Sequence, residues 1–337
     1  MIIAILSGLL AACGVALARR GAAYAGLVQS PNARSSHSAP TPTGGGIGIV
    51  LGGSLAALFI ATAMAFWPAF IVLAASLGIA GLGLWDDLRP LPARVRLLVQ
   101  MGLVGFTLAL GVPLQALGAA IGFPLALPIL FLLVGLLAVY WINLYNFMDG
   151  IDGLAAAEAV FLFAAPLVLG LHSVPDIAAQ PLCWWLSALA VASLVFLAFN
   201  WQPAKIFMGD VGSTYLGFMI AMLALFTVAS GWLSLWQWCI LTACFVTDAS
   251  VTLLQRGIRG EVLFEPHRRH AYQVLSRRFG SHKKVVLIVA SINIVVLLPL
   301  AAMAGIYPSL GLLLVLTAYI PLIALTLWAG AGRPEHV

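Results

Sequence analysis

Charged side chains are scarce in this chain. Asp and Glu number eleven and Lys and Arg sixteen among 337 residues, so charge is 8% of the composition, against roughly 25% for a soluble domain. That excludes an ordinary solvated globular fold. Cysteine is sparse too: Cys13, Cys183, Cys239 and Cys244 all lie inside apolar runs and form no Cys-x-x-Cys pair. They read as small buried hydrophobes and say little about redox compartment. No soluble domain fits between the apolar runs and no internal repeat is evident, so residues 1–337 read as a single transmembrane domain.

Apolar residues are abundant instead, at 63% with ten tryptophans and a mean hydropathy of +1.08. Apolar runs of about 20 residues, the length that spans a bilayer as a helix, recur along the whole chain. Eleven candidate spans are placed at 2–18, 45–66, 69–85, 97–115, 122–142, 154–171, 181–199, 212–230, 233–255, 285–304 and 307–329. The expected fold is an all-α polytopic membrane protein of 10–11 transmembrane helices. Residues 1–18 could pass for a signal peptide ending at Ala16-Leu-Ala18. However, no positive charge precedes the run and Arg19-Arg20 follow it, so it is read as a span with its N-terminus outside.

The sixteen basic residues all fall in gaps after odd-numbered spans or after span eleven. Positive-inside logic makes that side cytoplasmic. The pI near 9.2 then reflects topology and affinity for anionic lipid or phosphate, with no nucleic-acid partner expected. Most acids lie on the same side. Only Asp176 sits in an outside gap, and Asp248 is read as the acid buried within a span. An intramembrane acid is a functional candidate by default, with pairing to Arg256 or a hydroxyl as the plainer alternative.

Five polar clusters meet the cytoplasmic edge. Asp86-Asp87 end span three, and adjacent carboxylates favour a cation, with Arg89 as the simpler partner. The run Asn143-Leu-Tyr-Asn146-Phe-Met-Asp149-Gly-Ile-Asp152-Gly-Leu154 sets four oxygen-bearing side chains in ten residues, a composition that suits Mg²⁺. Asp149 and Asp152 would share a helix face, with Asp152 as the cap of the next span. In Asn200-Trp-Gln-Pro203-Ala-Lys205-Ile-Phe-Met-Gly209-Asp210-Val-Gly-Ser213, glycines flank a carboxylate before a helix, which offers a phosphate seat. The segment Glu265-Pro-His267-Arg268-Arg269-His270-Ala-Tyr272-Gln273 combines imidazoles and guanidinium forks that bind phosphate oxygens. The loop 29–46, with Arg34, His37 and Gly44-Gly45-Gly46, reads as a linker whose glycines let backbone approach a ligand.

These motifs, in this order from about residue 30 to 284, resemble the polyprenyl-phosphate N-acetylhexosamine-1-phosphate transferases of the bacterial inner membrane. The resemblance implies an Mg²⁺-dependent reaction, with Mn²⁺ able to substitute. In it, a UDP-N-acetylhexosamine and undecaprenyl phosphate give undecaprenyl-diphosphate-sugar and UMP. Carried over, Asp210 is a metal ligand with Asp87 and Asn146 beside it. Asp86 or Asp87 positions or deprotonates the lipid phosphate, and Asn146, Asp149 and Asp152 support metal and nucleotide. His267, Arg268 and His270 bind diphosphate or sugar, with Asn143, Lys205, Arg34 and His37 also on the substrates. Direct in-line attack is favoured over a covalent aspartyl intermediate, because the lipid phosphate is already an oxyanion.

The form His-Arg-x-His-Ala-Tyr-Gln and the Pro-Asn-x-Arg-Ser-Ser-His of the first loop resemble the branch that initiates O-antigen on 6-deoxy sugars, such as UDP-N-acetylfucosamine or UDP-N-acetylquinovosamine. Thr43 stands where that branch would have arginine, and Gln29-Ser30 where it would have an acid. A homodimer within membrane lipid is one assembly the sequence allows. The alternatives are phospho-MurNAc-pentapeptide transfer or a lipid-linked solute transporter or flippase. A transporter would place its acids near the bilayer midplane.

Overall fold

A computed structural model describes residues 2–29, 40–122, 125–262 and 267–334 of the chain. It is almost entirely helical. In chain order the helices are α1 (Ile2–Ala25), α2 (Gly46–Ala63), α3 (Pro68–Leu88), α4 (Ala93–Leu110), α5 (Leu114–Ile121), α6 (Leu127–Phe147), α7 (Leu154–Ser173) and α8 (Pro181–Asn200). There follow α9 (Asp210–Ala229), α10 (Leu235–Leu241), α11 (Ala243–Ile258), α12 (Ala271–Phe279), α13 (His282–Ile292), α14 (Leu298–Ile306) and α15 (Gly311–Ala329). Ten stretches among the described residues are long and apolar enough to cross a membrane, and α10–α11 make an eleventh if counted as one span bent by 69°. The helix starts follow local chemistry: α3, α6 and α8 each carry proline in the first turn, where its fixed φ suits a helix and its missing N–H costs nothing.

The core is α9. Of its apolar window 83% is buried, against 22–56% for the other spans, and α2, α3, α5 and α6 all pack on it. In lipid such packing cannot rely on the hydrophobic effect between helices and depends on close backbone approach at small residues. Gly83 of α3 shows this: a Cβ there would lie 2.4 Å from the carbonyl oxygen of Asp210. Gly46 of α2 meets α9 as closely: a Cβ there would stand 2.2 Å from the Cα of Gly212.

The only strands among the described residues are β1 (Val28–Gln29) and β2 (Thr41–Pro42), an antiparallel pair flanking residues 30–39. Arg34, His37 and Ser30 lie outside the described residues. The chain then runs along the segment before α9: Phe207 N–H donates to Pro42 O, Gly45 N–H to Phe207 O and Gly46 N–H to Met208 O, at 2.8–2.9 Å. Gly45 and Gly46 therefore admit the protein's own backbone. Thr43 is buried.

Glu158 corrects the charge map. It lies one turn inside α7, is buried to 1%, and accepts a hydrogen bond of 2.6 Å from Asn293, where a π-turn joins α13 to α14. Asp248 is thus not the only acid set within a span.

Replacing Gly83 by alanine should cost about 1–3 kcal/mol by overpacking, read as a lower thermal midpoint in detergent. Gly81→Ala, on the same helix with nothing within 4 Å of its Cβ position, should leave the midpoint unchanged or higher. Equal midpoints for the two variants would contradict the close α3–α9 approach.

Candidate active site

The site is built where α3 ends and α9 begins. Asp87, in the last turn of α3, accepts the first two N–H groups of α9: Asp210 N–H at 2.9 Å and Val211 N–H at 3.1 Å. These donors have no partner within the helix, and a carboxylate there also faces the positive end of the helix dipole. The preceding turn needs Gly209, at φ +75°, where a Cβ would stand 2.6 Å from Asp87 Oδ2. The phosphate seat expected at this helix start is thus taken by Asp87.

Asp210 is fixed on both sides. Its Oδ1 accepts from Asn146 Nδ2 at 2.9 Å, and the same nitrogen reaches Ser213 Oγ at 2.8 Å. Its Oδ2 lies 3.4 Å from Arg96, and the same Arg96 nitrogen pairs closely with Asp86 Oδ2. Asp86 Oδ1 also accepts Leu91 N–H at 2.6 Å. The partner of Asp86 is therefore Arg96, in the first turn of α4. Arg89 lies beyond the helix in an extended turn. Arg96 was not singled out from the sequence. Its ten-residue spacing from Asp86, across a tight α3–α4 turn, was the available signal.

The Asn143–Asp152 motif spans the end of α6 and the turn before α7. Asn143 and Asn146 lie on α6, one turn apart. Asn143 donates to Gln100 of α4 at 2.6 Å and to Val139 O, and so fastens α6 to α4. Asp149 and Asp152 lie in the turn and not on a helix face. Gly153, at φ +81°, holds the cap position of α7 with no side-chain cap, so Asp152 does not cap that helix. Its carboxylate accepts Ala204 N–H at 3.0 Å and lies 3.4 Å from His282 of α13. Asn200 accepts Gly153 N–H and donates to Ile206 O, clamping the turn to the Asp210 segment. Burial, then the neighbouring Asp210, Asp87 and Asp152, push the Asp149 carboxyl well above its usual value, which favours its proton-bearing form.

The His/Arg segment forms the third wall. His267 stacks on His270 at 4.8 Å and His270 on Tyr272 at 5.6 Å. The Tyr272 hydroxyl donates to Phe147 O, at the end of α6, at 2.9 Å. Burial, His270 and the arginines Arg256 and Arg269 lower His267 to about 3, so it is an uncharged imidazole at neutral pH. Arg268 lines a cavity of about 340 Å³ with Gly150, Gln202, Gln273, Arg277 and His282. Lys205 is exposed beside the Asp210 segment, and Glu265 lies outside the described residues. Asp248, inside α11, accepts from the Thr252 hydroxyl at 3.2 Å and from two backbone N–H groups of α12; Arg256 pairs instead with Glu261.

Motifs 64–124 residues apart thus converge on one edge of the helix bundle. Three carboxylates, a carboxamide and one guanidinium meet there, beside a cavity edged by arginines. Such a set holds a polyanion against a cation.

Residues 69–228 match the model of glycosyl transferase family 4. The chain is 28% identical over 330 residues to the probable undecaprenyl-phosphate N-acetylglucosaminyl 1-phosphate transferase of Bacillus subtilis, covering 91% of this chain and 86% of that protein. It is 32% identical over 297 residues to the decaprenyl-phosphate N-acetylglucosaminephosphotransferase of Mycobacterium tuberculosis, covering 78% and 72%. A phospho-N-acetylmuramoyl-pentapeptide-transferase of Geobacillus is 34% identical over 207 residues, 56% of this chain and 61% of its own length. On these matches the chain belongs to glycosyl transferase family 4, the superfamily of the polyprenyl-phosphate N-acetylhexosamine-1-phosphate transferases.

Proposed function

We propose that this protein transfers N-acetylhexosamine-1-phosphate from a UDP-sugar to undecaprenyl phosphate at the cytoplasmic face of a bacterial inner membrane. The observation that carries this reading is the junction of Asp86, Asp87, Arg96, Asn146 and Asp210 at the start of α9. An oxygen of the lipid phosphate attacks the sugar-linked phosphorus and forms a new P–O–P linkage, while that phosphorus loses its bond to the bridging oxygen of the UDP diphosphate, so that UMP leaves with that oxygen and the electron pair. The nucleophile is already anionic, so the protein's task is placement and charge neutralisation.

The residues fit a Mg²⁺ ion. Asp86 and Asp210 already share one positive group, Arg96, which supports a common cation for the two carboxylates, and their oxygens suit a hard ion. Among the described residues no three His, Cys, Asp or Glu side chains are arranged to hold a metal ion by themselves, so substrate or water oxygens would complete the shell. When bound, Mg²⁺ neutralises the diphosphate charge. Asp210 is the carboxylate placed to hold it, with Asn146 orienting Asp210 through its amide. Asp87 acts from behind, fixing the helix that carries Asp210. Arg96 is the group positioned to exchange Asp86 for the lipid phosphate. Asp149, in the turn that faces Asp210, supports metal and nucleotide. His267, uncharged, meets the diphosphate as a hydrogen-bond donor, while Arg268 supplies charge.

The orientation follows from the basic residues, which lie beside these motifs. The form of the His/Arg segment supports a 6-deoxy N-acetylhexosamine and O-antigen initiation. The Geobacillus relative supports a second reading, phospho-MurNAc-pentapeptide transfer.

Purified protein given Mg²⁺, undecaprenyl phosphate and a panel of UDP-sugars should release UMP with one of them, and UDP-MurNAc-pentapeptide in the panel separates the two readings. Asp210→Asn should lower the rate by at least about 10²-fold, and wild-type UMP release by that variant would overturn the role given to Asp210. Chelation with EDTA should stop UMP release and added Mg²⁺ should restore it; release that persists in EDTA would remove the metal from the proposal.

A further inference from the structure

Helix α11 carries a polar stripe on a buried face. Asp248, Thr252 and Arg256 are spaced by four residues and are exposed by only 6%, 0% and 2%. Residues i and i+4 lie one above the other on a helix, so the three form a ladder running from inside the bundle toward the cytoplasmic end of α11. A membrane-embedded helix keeps such groups only where they are satisfied and useful.

Both ends of the ladder hold the His/Arg segment. At the outer end Arg256 pairs with Glu261 at 3.1 Å, and Glu261 in turn takes Arg269 at 2.7 Å. At the inner end the Asp248 carboxylate accepts Ala271 N–H on Oδ1 at 2.8 Å and Tyr272 N–H on Oδ2 at 2.9 Å. Its Oδ1 also lies 3.4 Å from His270 Nδ1. These are the first N–H groups of α12, which have no partner within their helix. Asp248 therefore does for α12 what Asp87 does for α9. Within its own sequence α12 starts with a capping box, in which the Gln273 side chain reaches back to the His270 N–H at 3.3 Å. The first two N–H groups, Ala271 and Tyr272, take their acceptor from another span.

We propose that Asp248 is a positioning residue for the UDP-sugar side of the reaction. It touches no substrate group itself. It sets where α12 begins, and so where His270, His267 stacked on it, and Tyr272 reaching Phe147 O stand relative to the Asp149–Asp152 turn. This rests on the transferase reading above. Loss of the carboxylate would release the His/Arg wall while leaving the Asp86–Asp210 junction, on the other side of the site, in place.

The test compares wild type with Asp248→Asn and Asp248→Ala, by steady-state UMP release and by amide hydrogen exchange. Loss of hydrogen bonds to a charged acceptor should raise the KM for the UDP-sugar by about tenfold or more in Asp248→Ala. The KM for undecaprenyl phosphate should stay within about twofold of wild type, and exchange should quicken at Ala271 and Tyr272. Asp248→Asn, which keeps one acceptor oxygen, should fall between. General destabilisation would instead lower kcat through the active fraction and leave both KM values alone. The proposal is overturned if exchange at Ala271 and Tyr272 is unchanged, or if the two KM values rise together, or if neither rises. Should Asp248→Ala fail to fold, Asp248→Asn carries the same comparison. Should wild type release no UMP with any UDP-sugar, the transferase reading fails, and the exchange data still report on α12.

Discussion

Two backbone N–H groups and one carboxylate hold this site together. α9 is the helix on which the others pack, and its start carries Asp210. Its first donors would be unsatisfied at the edge of an apolar bundle, and such groups are costly where water is excluded. Asp87 removes that cost and in doing so fixes α3 to α9 at the place where Gly83 already brings the two backbones together. The positions of Asp86, one residue earlier, and of Arg96, which bridges Asp86 to Asp210, follow from that junction.

The membrane explains why one arrangement is used twice. Within lipid, helix ends need partners, and polar side chains need neighbours that satisfy them. Asp87 on α9 and Asp248 on α12 meet both needs at once, each pairing a carboxylate with the start of a helix on a different element. Asn143, joining α6 to α4, and Glu158, joining α7 to α13 through Asn293, follow the same economy. Many of the polar groups in this chain therefore serve as ties between helices, and the groups placed to meet substrate are fewer than the polar composition suggests.

This accounts for what was legible in the sequence. Span number and helical class were readable, because hydropathy and the one-sided basic residues report directly on lipid and topology. The motifs around Asp87, Asn146 and Asp210 were readable as a set, since each is too polar for its surroundings. Individual partners were not, because the contacts that matter join residues far apart in the chain. Arg89 lies nearer to Asp86 in sequence than Arg96, yet the turn after α3 carries it away. Asp152 had the spacing of a cap, yet Gly153 takes that position and Asp152 turns toward Ala204 and His282. The glycines at 44–46 signalled close approach without saying to what, and the neighbour proved to be Phe207 and Met208. Glu158 sat unremarked in a plain apolar run, where only its burial and its Asn293 partner mark it.

The distance along the chain between Asp87 and the amides it accepts has a consequence for biogenesis. These groups are 123 and 124 residues apart, so when α3 has entered the membrane its terminal carboxylate has no partner until six further helices have been made. The junction on which the site depends is a late product of synthesis and insertion. A ribosome-bound or truncated chain ending before α9 would hold the acidic pair of α3 and the Asn143–Asp152 turn, yet lack the helix start that gives them their geometry. Competence for chemistry in this architecture is a property of the finished bundle.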